Sequence, residues 1–555
     1  MEEFYQDGPA LGNQYDADAA LRAYLEWKLP APMLVEIQPA LRRLGDRAVT
    51  DIMAAGEAAE AEPPRHVPYD AWGRRIDRIE TSPGWRALDR IAAEEGIVAT
   101  GYERRNGPWS RLDQFARLYL YSPSSATYSC PLAMTDGAAR CLELHADASL
   151  RAHALPHLIS RDPATCWTSG QWMTERAGGS DVARTATVAR CIDGQFRLYG
   201  TKWFTSATTA QVAMTLARTE NAPEGSRGLS LFYVELRDAS GALQGIRINR
   251  LKDKLGTRAL PTAELTLDGA PATLVGGDGH GVRKIASLFN VTRVYNAAAA
   301  VAGMRRAVHL ARAYAARRSV FGRRLLDQPL HVETLAALEV ECDAALHLVG
   351  YLAELLGKDE CDVATPAEQA LLRLLTPVVK LYTAKQAIAV ASETLEAFGG
   401  AGYIEDTGLP RLLRDAQVLS IWEGTTNVLS LDALRAIDRD ATLAPALADL
   451  RRRVDLIDTP ALSSQLNTVR DAVVALDHLL PSDDPDGRQA AARTFAFAFA
   501  RTVAAVLLLE HSAWAIPRDD TRTPTVARRW CAAGLIPPAT TDATHRAESR
   551  RLIEG

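Results

Sequence analysis

Thr185-Ala-Thr-Val-Ala-Arg190 alternates in polarity, Cys191-Ile192 follows, Asp193-Gly194 interrupts, and Gln195-Phe-Arg-Leu-Tyr199 alternates again. Alternation at period two on both sides of an Asp-Gly pair predicts a β-hairpin, because Asp and Gly accept the positive φ that a two-residue turn demands. Outward from this hairpin, strands are expected at Val212 to Ala217, Leu229 to Glu235, Ile246 to Asn249 and Ala263 to Leu267. No helical pattern separates them, so residues 166–280 read as a small antiparallel β domain, a barrel or a sandwich.

On either side the period changes to that of a helix. From Ala19 to Leu158, apolar residues recur at spacings of three and four, with breaks at Glu62-Pro63-Pro64 and Asn106-Gly107-Pro108, giving an N-terminal helical domain over 1–165. After a glycine-rich turn at Gly276 to Gly281, Ala- and Leu-rich helices are expected at 285–317, 329–357, 367–398 and 428–438, a four-helix bundle over 281–440. Residues 441–555 read as an appended helical extension with a loop at Pro481 to Gly487 and a polar tail after Pro537. The fold class is mixed α and β, mainly α.

At 555 residues the chain exceeds the usual size of one core, and 47% apolar with 24% charged residues fits a packed globular protein. A net charge of -5 gives no global attraction to nucleic acid or an anionic membrane. Seven cysteines without a C-x-x-C pair read as reduced thiols, and the acidic start Met1-Glu-Glu-Phe-Tyr-Gln-Asp7 lacks a signal pattern, so a cytoplasmic location is expected. The apolar stretch Thr494 to Leu509 is broken by Arg501 and reads as a buried core helix too short to span a bilayer.

Four clusters carry the chemistry. Trp172-Met-Thr-Glu-Arg-Ala-Gly-Gly-Ser-Asp-Val182 pairs glycines, which let backbone amides approach an anion, with hydroxyl and acidic residues. Lys202-Trp-Phe-Thr-Ser206 offers a flat apolar face at Trp203 and a hydroxyl at Thr205. Arg317-Arg-Ser-Val-Phe-Gly322 places cations at a helix end, either a solvated cap or a phosphate clamp. The fourth runs from Ala397-Phe-Gly-Gly-Ala-Gly-Tyr403 through Arg414-Asp415 to Ile421-Trp-Glu-Gly-Thr-Thr-Asn427. It sets one carboxylate, Glu423, between Trp422 and Gly424. Desolvation beside an aromatic strengthens such a group as a base, and the glycine leaves room for a substrate.

In this order and on this layout, the clusters resemble the acyl-CoA dehydrogenase family over residues 45–440. The AidB-like branch is nearest, on Thr174-Glu-Arg-Ala-Gly-Gly-Ser-Asp181, Arg250-Leu-Lys-Asp-Lys-Leu-Gly256 and the extra C-terminal helices. The resemblance implies FAD as cofactor. It implies contacts from Met173 and Thr174 to the flavin ring, Trp203 packed on a flavin face and the Thr205 hydroxyl near N5. Ser180 is implied near bound phosphates, on the cofactor and on the substrate side. Arg318 and Phe321 are implied to reach the FAD of a neighbouring subunit, with Gln328, Gly399 and Gly400 along its adenosine half. Thr425 and Asn427 are further implied cofactor contacts, and Arg293, Trp422 and Gly424 lie on the substrate side. Glu423 matches the catalytic base that removes the α-proton of an acyl thioester while a hydride passes to flavin N5.

The implied partners are an acyl-CoA or acyl-carrier substrate, an electron-transfer flavoprotein as acceptor and further copies of the chain in a homotetramer, a dimer of dimers. The chain departs from the family pattern at Arg176-Ala-Gly-Gly, where Pro-Gly-Ala-Gly is usual, and at Asn427, where Gln is common. The branch also implies an alternative, a DNA-binding flavoprotein protecting DNA from alkylation. Residues 440–555 hold 14 Lys/Arg against 15 Asp/Glu, which disfavours DNA as partner.

Other signals are weak. His153-Ala-Leu-Pro-His157 has helical metal-pair spacing, but Pro156 disturbs the turn and no acidic or cysteine ligand is near in sequence, so no metal is expected. Gly277-Asp-Gly-His-Gly281 lacks the surrounding βαβ unit of a dinucleotide loop. Neither a P-loop nor a G-x-S-x-G elbow is present.

Overall fold

The computed structural model describes residues 7–481, 483–538 and 542–555; residues 1–6 of the acidic start lie outside the described residues. The chain forms two compact units that interleave along the sequence. One comprises the segment through Arg42, Asn106–Phe115 and Asn296–Gly555; the other comprises Arg43–Arg105 and Ala116–Tyr295.

The second unit is built on nine strands: β1 (Arg65–Tyr69), β2 (Arg75–Glu80), β3 (Ser169–Trp172), β4 (Val188–Ile192), β5 (Gln195–Ser206), β6 (Val212–Thr219), β7 (Leu229–Glu235), β8 (Ile246–Leu251) and β9 (Thr262–Val275). Strands β6, β4, β5, β9 and β7 pair in that order, and β6 also pairs with β7, closing a barrel; β8 joins β9 and β3 joins β6. Asp193 at φ 50° and Gly194 at φ 79° make the turn expected between β4 and β5.

Period two sorts the side chains onto two faces. Ala213, Ala217, Phe232, Val234, Ile248 and Leu265 fill one core. Val212, Met214, Leu216, Leu229, Leu231 and Tyr233 meet Leu142, Leu150 and Leu158 in another. These last three come from helices Ser129–His145 and Ala148–Leu158. Buried on both faces over most of their length, β6 and β7 are largely apolar, with Thr215 and Ser230 among the few polar residues enclosed in them.

Several expectations change. The sheet is mixed, not antiparallel throughout, since β3 and β4 both run parallel to β6. Strand β4 starts at Val188 rather than Thr185 because the Glu175 carboxylate takes the Ala186 and Thr187 amides that a ladder would have used. The N-terminal layer is not wholly helical. Strands β1 and β2 pair, and buried Asp77 ties them to β8 by accepting from the Ile248 amide at 3.1 Å.

The first unit is mainly helical. Its long helices are Pro329–Glu360, Pro366–Ala397 and Pro485–Ala515, followed in length by the part of Ala286–Ala315 from Asn296 on. N-cap Thr365 and Glu368 at the third helical position form a reciprocal capping box with Pro366 between them, which explains the sharp start of that helix. Arg111 and Glu360 form a two-pronged buried ion pair at 2.7 and 2.8 Å. The Pro485–Ala515 helix incorporates Pro485 and Gly487 of the expected loop, its first turn capped by Asp484, which accepts from Gly487 N at 2.9 Å. By length and composition this helix is sufficient to cross a bilayer, so the expected shortness is corrected; 78% of its apolar window is buried within the protein. The expected polar tail contains one more helix, Ala543–Glu554.

Candidate active site

In the β unit, the chain leaves β3 and turns back on itself at Glu175, where Gly178 N donates to Glu175 O at 3.0 Å. Gly178 sits at φ 128°, and a Cβ at Gly179 would stand 2.7 Å from Thr174 Oγ1, so both glycines are required by the turn. Ser180 lies exposed on its outer rim. Trp203 N donates to Thr174 O at 2.9 Å, locking this turn to the end of β5. Beneath the turn, fully buried Lys202 donates to Glu175 Oε1 at 2.8 Å and to Leu216 O at 3.1 Å. Burial pushes the Glu175 carboxyl up, but the Lys202 ammonium and the donors of Thr187 and Ala186 outweigh it and hold it below the ordinary range.

The end of β5 departs from expectation. Three steps along β5 from Lys202 to Thr205 match two along β9 from Leu265 to Ala263, a bulge that resets which side chains face outward. Thr205 is fully buried, and its Oγ1 donates to Ala263 O at 2.7 Å. The hydroxyl that the resemblance implies near flavin N5 thus spends its proton inside the sheet. Phe204, 50% exposed, and partly exposed Ser206 hold the outward positions that sequence reasoning missed. Lys252 Nζ lies 3.6 Å from the centroid of the Trp203 ring and 4.4 Å from that of Phe204, so cationic charge covers this aromatic pair. The Met173 side chain is 6% exposed and packs into the core behind the sheet, leaving only its backbone for an outer contact. Arg293 is half-buried in the first turns of the Ala286–Ala315 helix.

In the helical unit, Pro410–Leu419 ends and Thr426–Asp440 begins around Ser420-Ile-Trp-Glu-Gly-Thr425. Glu423 holds φ 56° and Gly424 φ 106°, backbone that a glutamate adopts at a cost of about 1–2 kcal/mol. Lys380, fully buried on the Pro366–Ala397 helix, donates to Trp422 O at 2.6 Å and Gly424 O at 2.8 Å, on either side of Glu423. Glu423, Trp422 and Gly424 are half-buried, and the enclosed Trp422 Nε1 donor has no hydrogen-bond partner among the described residues. Thr425 is the N-cap of the next helix but makes no side-chain cap bond. Asn427 is exposed, its Oδ1 at 3.5 Å from Arg493 Nη1 of the C-terminal extension.

At another edge of this unit, Ser319–Val320 and Arg323–Arg324 form a hairpin turned by Phe321 at φ 51° and Gly322 at φ 75°. Phe321 is 99% exposed at its tip. Gln328 Nε2 donates back to Val320 O at 3.1 Å, and Arg318 O accepts from Leu325 N at 2.8 Å, closing the hairpin base. The same satellite core holds Tyr314, Leu325 and Phe398, so Arg318, Phe321 and Gln328 share a neighbourhood with the Gly399-Gly400 turn. Both glycines face open space.

The discounted histidine pair has partners of its own. Pro156 is accommodated within its helix, contrary to expectation. Glu235, distant in sequence, meets His153 Nε2 at 2.7 Å, while His157 Nδ1 lies 2.8 Å from Thr165 O. Among the described residues, no three His, Cys, Asp or Glu side chains gather as a metal site.

Residues 170–270 match the family model of the acyl-CoA dehydrogenase middle domain, and residues 279–437 that of the acyl-CoA dehydrogenase C-terminal domain. The flanks, 9–163 and 448–553, match the adaptive response protein AidB N-terminal domain and the acyl-CoA dehydrogenase 11 C-terminal domain-like model. Acyl-CoA dehydrogenase family member 11 of Caenorhabditis elegans is 44% identical, over 96% of this chain and 90% of its own length. The putative acyl-CoA dehydrogenase AidB of Escherichia coli is 34% identical, over 71% of this chain and 73% of its own. The crystal structure of Caenorhabditis elegans ACDH-11 in complex with C11-CoA superposes with a TM-score of 0.95 at 43% identity, covering 100% of this chain and 97% of that one. A closed β barrel, Glu423 held in left-handed backbone and matches along the whole length agree: the chain belongs to the acyl-CoA dehydrogenase family, as an oxidoreductase of its AidB-like branch.

Proposed function

We propose that the chain oxidises a saturated acyl-CoA to the α,β-enoyl thioester with FAD as cofactor. The observation that carries this reading is Glu423, a single carboxylate held at φ 56° between an aromatic residue and a glycine. Its carboxylate takes the α-proton and becomes the neutral acid; an adjoining glycine leaves space for the thioester. Flavin bound there would supply the acceptor for the β-hydrogen and its electron pair. The worm relative crystallised with C11-CoA supports a CoA thioester over a carrier-bound acyl group.

The residues present fit this cofactor. Aromatic Trp203 and Phe204 stand beside the Thr174 turn, and Lys252 over their rings adds positive charge next to them. Thr425 leaves the amides of its helix N-terminus without a side-chain cap, the usual setting for a phosphate. Gly399 and Gly400 allow a ligand close to the backbone. Ser180 and Arg293 are assigned to the phosphate and substrate sides, and Arg318, Phe321, Gln328 and Asn427 to the cofactor. Fully exposed Phe321 and Tyr403 support a homotetramer in which these edges are covered, and an electron-transfer flavoprotein is the proposed acceptor.

The test is anaerobic. Purified protein carrying FAD is mixed with saturated acyl-CoAs, and bleaching of the visible flavin band is followed. Rapid bleaching by wild type, slowed at least about a hundredfold in Glu423→Gln with flavin retained, is expected. Bleaching of that variant at the wild-type rate would remove Glu423 from the role of base.

A further inference from the structure

We infer that Lys380 is a positioning residue for the reaction, acting through Glu423; this rests on the proposed role of Glu423 as the base. A lysine buried to zero exposure is costly unless its charge is met by hydrogen bonds. Here the ammonium spends two donors on backbone carbonyls, those of Trp422 and Gly424, at 2.6 and 2.8 Å. These are charge-assisted bonds, roughly twice as strong as neutral ones.

Their location is the point. The Trp422 carbonyl belongs to the peptide plane entering Glu423, and the Gly424 carbonyl to the plane leaving Gly424. The two residues between these planes hold φ 56° and φ 106°, both outside the regions that L-residues favour. Such backbone persists where its surroundings over-determine it, and one ammonium grips it from both sides. Lys380 lies in the middle of a 32-residue helix, Pro366–Ala397, three residues after its internal Pro377, and the capping box and buried face hold this helix in place. The grip therefore transmits the position of that helix to the Cα of Glu423. Loss of it frees the turn to relax toward ordinary φ, carrying the carboxylate away from the α-carbon while every side chain assigned to the substrate is still present.

The test compares Lys380→Met, Glu423→Gln and the double variant, each as the full-length flavin-loaded protein, with saturated C11 acyl-CoA as probe. Lys380→Met is expected to retain flavin, to bind the thioester within about threefold of Glu423→Gln as judged by perturbation of the oxidised flavin spectrum, and to reduce about a hundredfold more slowly than wild type, the cost of a misplaced reacting group. In the double variant, Lys380→Met should add less than about threefold to the loss from Glu423→Gln, because residues acting as one unit are not additive. A merely structural lysine would instead lower affinity and rate together, or slow both backgrounds equally, and either result overturns the inference. Reduction of Lys380→Met near the wild-type rate, with Glu423→Gln slow, also overturns it while leaving the base in place. Normal reduction of Glu423→Gln removes the base itself, and the inference with it. Should Lys380→Met not fold, Lys380→Gln is measured against the same thresholds.

Discussion

Lys202 donates to Glu175 at 2.8 Å with the lysine side chain 0% and the glutamate 6% exposed, so an ion pair is enclosed directly beneath the Thr174 turn and the end of β5. Both partners lie next to residues assigned to the flavin, Thr174 and Trp203, and the pair fixes one relative to the other.

Removing one partner strands the other charge. Lys202→Met is expected to cost about 3–5 kcal/mol in urea unfolding and to release flavin on gel filtration. Glu175→Gln combined with Lys202→Met should recover part of that stability by removing the uncompensated carboxylate. A loss below about 1 kcal/mol in the single variant would show that the pair does not hold the turn.

Phe204 and Thr205 should behave oppositely. Phe204→Ala is expected to weaken flavin retention and shift the visible spectrum with little effect on unfolding. Thr205→Val leaves the Ala263 carbonyl short of a donor, so it should lower stability by about 1–3 kcal/mol while the flavin spectrum stays unchanged. A spectrum altered by Thr205→Val and untouched by Phe204→Ala would reverse the assignment of faces.

Phe321 and Tyr403, 99% and 89% exposed, are the surfaces proposed to be covered in the homotetramer. Phe321→Ser with Tyr403→Ser should reduce the mass measured by light scattering and lower flavin occupancy, with the melting of each chain little changed. A tetramer of wild-type mass and full occupancy would place the interface elsewhere.

His347 Nε2 lies 2.9 Å from His511 Nδ1, and the Trp27 ring stacks on His511 at 4.7 Å. Burial pushes His347 down to about 4, and burial with the neighbouring His347 pushes His511 down as well. Each folded value lies below the unfolded one near 6.5, so the stability these groups contribute is present above that pH. It is lost as pH falls from about 6.5 toward 4, by on the order of 3 kcal/mol for His347 alone. Chemical denaturation at a series of pH values should show this slope, and His347→Gln should flatten it. An unchanged slope in the variant would assign it to other groups.

The order of helical, β and helical segments was legible because hydrophobic period is local: the Asp193-Gly194 turn and the two-faced strands announce themselves over a few residues. So did the approximate extents of the bundle helices. Face assignment at the end of β5 was not legible, because one inserted residue between Lys202 and Thr205 moves side chains to the other face and leaves no mark in composition. The Glu175–Lys202 pair spans 27 residues and is brought together only by the folded turn. Lys380 is 43 positions from Glu423 and lies among apolar neighbours, where a cation reads as an interruption of a helix face rather than as an anchor. The Glu62-Pro63-Pro64 break was visible, but nothing local distinguished a helix connection from the β1–β2 hairpin, whose Asp77 finds its partner on β8.

The backbone of Glu423 sets chemistry against durability. Glycine at 423 would accept φ 56° freely and relieve about 1–2 kcal/mol, while abolishing the proton acceptor. Laboratory evolution that rewards only heat resistance should therefore drift toward inactive survivors at this codon, and a screen for tougher variants must demand turnover in every round.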